Sequence, residues 1–208
     1  MSDEVDFYFP PDANTPLPAV VIVSGYPGRM NALDFVIKTA KRIADAGMIG
    51  VAYANDEPIA GLQRALEKVR VREGVDADRI ALWAVSGNVP VALSALHGVR
   101  CAALLSGYML DAPETNYGFA DPKTSIDEIP NDVPLFIVRA GREHFPGLNE
   151  SIDRFAAASL ARNLPITLVN LPDAPHASEE AERAALRFLQ LHLLEETASR
   201  STSSSARS

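Results

Sequence analysis

The 208-residue sequence predicts an α/β fold, a mostly parallel central sheet with helices layered on both faces. Three observations lead there. Short β-branched runs recur without polar alternation, as strands buried on both faces require. Segments of helical period separate these runs almost without exception, and parallel strands need such crossovers. The composition, 47% hydrophobic and 22% charged, is that of an ordinary globular chain.

The elements follow in order. Residues 19–24, Ala-Val-Val-Ile-Val-Ser, form the first strand, closed by the turn Gly25-Tyr26-Pro27-Gly28. Val36, Ala40, Ile43 and Ala44 repeat at helical spacing up to a stop near Gly47. Residues 49–53 are the second strand, and Ile59, Leu62, Leu66 and Val69 mark the next amphipathic helix. Residues 80–85 lead as a strand to Ser86. The helix after it carries Val89, Leu93 and Leu96, with Pro90 in its first turn, where a missing N–H costs nothing. Residues 101–105 and 135–140 are the fourth and fifth strands. Ile152, Phe155, Ala156 and Leu160 share one helix face, and residues 166–171 are the sixth strand. A last helix over 178–196 turns Ala181, Ala185, Phe188 and His192 or Leu191 inward. Residues 1–196 are expected to form one domain, since 1–18 are too short for a second. The tail, 197–208, holds only Ser, Thr, Ala and Arg and is expected to be disordered. Residues 106–133 break the rhythm. They are acidic and turn-rich, with Pro113, Pro122 and Pro130, and read as a lid loop or as a plain surface excursion.

The formal net charge of −8 argues against nucleic acid or an anionic membrane as partner. The acidic N-terminus carries no signal-like apolar region, and no run approaches a membrane span, so a cytoplasmic location is expected. Cys101, the single cysteine, excludes an internal disulfide and reads as a small core residue. No metal-ligand spacing appears, and neither metal nor organic cofactor is expected. The sequence leaves oligomeric state open.

The chemistry concentrates at residues 79–90, where an apolar strand ends abruptly at Ser86-Gly87 and a helical pattern begins. A serine on such a sharp strand-to-helix turn has the geometry of a nucleophile elbow, which also aims the first helical N–H groups at the same spot. Ala84 and Asn88 stand where that pattern usually has glycine. Ligands of an open parallel sheet gather beyond the carboxyl ends of its strands. Glu143 follows the fifth strand and His176 the sixth, so the chain order is nucleophile, acid, histidine, the order of α/β hydrolases. A serine hydroxyl needs a base, an imidazole titrates near neutrality, and a carboxylate fixes the imidazole tautomer. The N–H groups of Tyr26 and Gly87 are candidate oxyanion donors.

Each position has rivals in the chain. Asp111 is the alternative acid, and Asp173 reads as shaping its turn. Glu150 and Asp153 suit a helix start. His97 ends a helix and His192 lies inside one, so both read as structural. His144, Arg142 and Tyr108 are candidate pocket residues, while Arg139 and Arg142 read chiefly as solvated surface charges.

Val-Ser-Gly-Tyr-Pro-Gly (23–28), Trp-Ala-Val-Ser-Gly-Asn-Val-Pro (83–90), Ala-Gly-Arg-Glu (140–143) and Pro-His-Ala (175–177) together resemble the dienelactone hydrolase-like branch of the α/β hydrolases. The resemblance spans residues 17–195. It implies the three-layer hydrolase fold with a short or minimal cap, and a serine-type carboxylester hydrolase with Ser86, Glu143 and His176 as its triad. Dienelactone hydrolases proper carry a cysteine nucleophile and an aspartate acid, where this chain has Ser86 and Glu143. The expected substrate is therefore a small carboxylic ester or lactone, hydrolysed through an acyl-serine. A hydrolase-fold ligand-binding protein and an acyltransferase are the alternative readings.

Overall fold

The computed structural model describes residues 4–11, 15–113 and 118–195. The tail expected to be disordered lies outside the described residues. Seven strands form one sheet in the order β1-β3-β2-β4-β5-β6-β7. They are β1 (Val5–Tyr8), β2 (Leu17–Ile22), β3 (Ile49–Tyr53), β4 (Val75–Val85), β5 (Cys101–Leu105), β6 (Leu135–Arg142) and β7 (Ile166–Pro175). Only β1 runs antiparallel, against β3.

The strands predicted at 49–53 and 101–105 match β3 and β5 residue for residue. Their five positions are all buried, which is why continuous apolar runs were informative. β1 has no counterpart among the expected elements. Its four residues are half-buried at the sheet edge, where no continuous apolar run is needed. β7 extends four residues past the predicted end, through Pro172 and Pro175. Proline there reads as a loop signal, yet an edge strand tolerates it because no outer neighbour needs the missing N–H.

The helices are α1 (Asp34–Asp45), α2 (Pro58–Arg70), α3 (Val89–Leu93), α4 (Leu148–Ala161) and α5 (Glu179–Gln190), the last continued by a π-helical turn at Leu191–Glu195. α1 and α5 cover one sheet face, packing Val36, Ala40, Ile43, Ala185, Phe188 and Leu189 on Val20, Trp83 and Phe136. α2, α3 and α4 cover the other, with Leu62, Val69, Leu93 and Ile152 on Val21, Leu82 and Leu104. Alternate residues of the same strand serve the two cores, as the two-residue period of a strand demands. The expected inward positions Ile59, Leu160 and Leu191 are instead solvent-facing, Leu160 being 69% exposed. α3 is also shorter than its apolar spacing suggests: the chain turns after Leu93, and Leu96 is buried from outside the helix. Cys101 is fully buried in the sheet, and burial pushes its thiol up to about 12.

Candidate active site

Strand register places the site. Arg142 of β6 pairs with Pro175 of β7, so Glu143 and His176 each immediately follow a paired position. A register shift between Ala140 and Arg142 precedes them, and Gly141 is what the shift requires. A Cβ there would lie 2.0 Å from the Pro172 carbonyl oxygen. His176 Nδ1 lies 2.6 Å from Glu143 Oε2, and its Nε2 lies 2.9 Å from Ser86 Oγ. The fold thus joins three residues spread over 90 positions of sequence, from Ser86 to His176, into one chain of hydrogen bonds.

Glu143 is held as well as holding. Its other oxygen, Oε1, accepts the N–H of His144 at 2.8 Å and of Phe145 at 3.0 Å. The side chain is only 2% exposed. Burial pushes its carboxyl up, but the bonds from His176 and the two backbone N–H groups outweigh burial and hold it below the usual glutamate range. The anion therefore faces Nδ1, which fixes the proton on that nitrogen and leaves Nε2 to accept from Ser86. Phe145 packs edge-on against the His176 ring at 4.9 Å, and His144 does so at 5.7 Å.

Ser86 comes directly after β4 with φ +59°, the left-handed region that a residue with a Cβ enters only when its surroundings force it. A 3-10 turn, Ser86–Asn88, follows and runs into α3. Gly107, just beyond β5, makes room for it: a Cβ there would lie 2.4 Å from the Ser86 carbonyl oxygen.

The turn after β2 faces this elbow. Ser24 N–H donates to Tyr53 Oη, and Ser24 Oγ donates to the Tyr26 carbonyl. Gly28 and Asn55 exchange backbone hydrogen bonds. The segment that reads as a lid loop or as a surface excursion reaches the same place. Ala120 N–H donates to the Gly25 carbonyl at 2.8 Å, and Phe119 lies edge-on to Tyr26 with ring centroids 5.7 Å apart. Phe119 also covers Gly87 so closely that a Cβ there would lie 2.4 Å from its ring. Nothing in the sequence marked Phe119, because the segment has no period to read. A composition-only cue, an aromatic between Gly118 and a turn, is all that it offers.

The other candidates fall elsewhere. Asp111 accepts from Ser151 Oγ and from Arg154, and these partners hold its carboxyl low against the opposing effect of burial. It bonds to neither Ser86 nor His176. Asp173 is exposed and faces Arg142 at 3.7 Å. Arg139 pairs with Asp153 at 2.9 Å, and Glu150 sits in the first turn of α4. His144 is 69% exposed beside the histidine. Tyr108 is a core residue, its hydroxyl donating to the Pro146 carbonyl at 2.8 Å. His192 lies against Phe188 with ring centroids 4.4 Å apart, and burial, aided by Arg100, lowers its pKa. Among the described residues no group of three or more His, Cys, Asp or Glu is placed to hold a metal ion, and no helix is long and apolar enough to cross a membrane.

No protein-family model matches the sequence, and no curated protein matches it either. Solved structures do match the fold. Esterase B from Lactobacillus rhamnosis superposes with a TM-score of 0.72 at 11% identity, over 97% of this chain and 82% of that one. A dienelactone hydrolase-like promiscuous phosphotriesterase from metagenomic libraries gives 0.68 at 13% identity, over 91% and 92%. An esterase from the archaeon Pyrobaculum calidifontis gives 0.68 at 15% identity, over 89% and 79%. The seven-stranded sheet, its flanking helices and these neighbours together establish that the chain has the α/β-hydrolase fold, with esterases and a dienelactone hydrolase-like phosphotriesterase among the structures it resembles.

Proposed function

We propose that the protein is a serine hydrolase of small carboxylic esters or lactones. The observation that carries this reading is the unbroken chain Ser86 Oγ to His176 Nε2 at 2.9 Å and His176 Nδ1 to Glu143 at 2.6 Å. Ser86 Oγ attacks the acyl carbon as its proton passes to Nε2. The imidazolium, stabilised by Glu143, returns that proton to the departing alkoxide oxygen, leaving an acyl-serine. Water then attacks the acyl-serine, giving its proton to Nε2, and the acid leaves as Ser86 is reprotonated. The oxyanion of each tetrahedral intermediate takes the N–H groups of Tyr26 and Gly87. The Tyr26 N–H has no hydrogen-bond partner among the described residues, and Gly87 lies in the first turn after the nucleophile, where helical N–H groups go unpaired.

The test is labelling with a fluorophosphonate probe, together with turnover of short-chain p-nitrophenyl esters. Wild type is expected to label and turn over. Ser86→Ala is expected to lose labelling and several orders of magnitude in turnover, at an unchanged circular dichroism spectrum. Activity retained in Ser86→Ala sinks the assignment. A folded wild type that binds esters without labelling points to the ligand-binding alternative, and ester products formed from an added alcohol point to acyl transfer.

A further inference from the structure

Asn88 stands where the elbow pattern usually has glycine, and its side chain does what glycine cannot. Its Oδ1 accepts the Gly25 N–H at 2.7 Å, across 63 residues of sequence. Gly25 is the residue before Tyr26, one of the two candidate oxyanion donors. We propose that Asn88 is a positioning residue that sets the oxyanion loop against the nucleophile elbow, an inference that rests on the esterase reading above.

The loop's other bonds among the described residues run to β3 and the turn after it, within the loop itself and to the overlying segment. Ser24 N–H is tied to Tyr53, the Tyr26 carbonyl to Ser24 Oγ, and the Gly25 carbonyl to Ala120 of the overlying segment. None of these partners belongs to the elbow. Among the described residues, the Asn88 amide makes the side-chain hydrogen bond that joins elbow and loop directly, and the two meet closely. A Cβ at Gly25 would lie 3.2 Å from Asn88 Cα, from Asn88 Oδ1 and from the Gly87 carbonyl oxygen. Asn88 and Gly25 are therefore a matched pair: the glycine permits the approach and the amide fixes it.

The same 3-10 turn presents the Ser86 hydroxyl, carries the Gly87 N–H and grips the loop of the second donor. The distance between the two donors then depends on a side chain with two rotatable bonds. Donors act on a tetrahedral oxygen only when preorganised, so a small displacement of one is felt in the transition state and hardly in the ground state.

The experiment compares wild type, Asn88→Ala and Asn88→Gly, with active sites counted by phosphonate titration. In both variants kcat per titrated site is expected to fall about tenfold to a hundredfold, less than for outright loss of a donor. KM stays within about twofold. Affinity for a phenylboronic acid, which mimics the tetrahedral intermediate, falls by the same factor as kcat. The Gly25 amide, followed by NMR hydrogen exchange, is protected in wild type and loses protection in the variants. Should Asn88→Ala fail to fold, Asn88→Gln fills the position with its acceptor one methylene too far, and the same losses are expected. Unchanged kcat per site and boronate affinity, with only a lowered Tm or titre, make the bond merely structural and overturn the proposal while leaving the esterase reading intact. A wild type that neither labels nor turns over overturns both.

Discussion

Ser86 keeps a side chain in left-handed backbone, Glu143 keeps a charge at 2% exposure, and each is tolerated because its neighbours supply what it lacks. For Glu143 the neighbours are His176 and two backbone N–H groups, and removing the charge they hold has two measurable consequences. Glu143→Gln keeps the shape but no longer fixes the imidazole tautomer, and kcat is expected to fall by about three to four orders of magnitude. The second consequence is in stability. A carboxyl with a native pKa below its unfolded value stabilises the fold above the unfolded pKa, and that contribution is lost as pH falls through the native value. The stability gap between wild type and Glu143→Gln, from urea titrations, should therefore be constant from neutrality down to the ordinary glutamate range and close below it. A gap that widens on acidification contradicts the assignment of a lowered pKa. Ser86, Glu143 and His176 were legible in the sequence because strand ends are legible and a nucleophile, an acid and a base are chemically distinct. The contact of Asn88 with Gly25 was not, since only the folded chain brings them together.

At the scale of elements, the segment at 118–120 contributes a hook rather than a helix. Its hydrogen bond to Gly25 and the Phe119 ring over Gly87 tie it to the elbow. Gly87→Ala should force the ring aside and lower stability by about 1–3 kcal/mol, as overpacking does. Adding Phe119→Ala should recover most of that loss in thermal melts, whereas independent effects of the two changes would simply add. A stricter steric limit lies under α1. A Cβ at Gly50 of β3 would lie 2.2 Å from the Ala40 carbonyl oxygen, which is backbone and cannot step aside. Gly50→Ala is expected to leave little folded protein, read from soluble yield and circular dichroism. Strand and helix alternation was readable because buried parallel strands need unbroken apolar runs. The short edge strand β1 and the proline-bearing end of β7 were not, because edges are held by fewer constraints and so leave fainter patterns.

The whole molecule is two cores separated by one sheet, and both were foreshadowed by the apolar spacings of the helices. Outward residues such as Leu160 obeyed the spacing without obeying the burial, since an apolar side chain on the surface is common and carries no periodic penalty. Cys101 lies at the centre of this packing, fully buried with its thiol held protonated. It should resist a thiol reagent such as DTNB at neutral pH and react at once in denaturant. Rapid reaction in the native state would contradict the burial.

The base of the hydrogen-bonded trio is attached to β7, the last strand of the sheet order, with β6 on one side and, among the described residues, no strand on the other. Rim strands open more readily than central ones. Heat should therefore silence the protein before it melts it. Loss of turnover on warming should track fraying of β7, seen as amide exchange at Val169 and Leu171, while the amides of Leu82 and Leu104 stay protected. The nucleophile would wait, correctly folded, for a histidine that has drifted away.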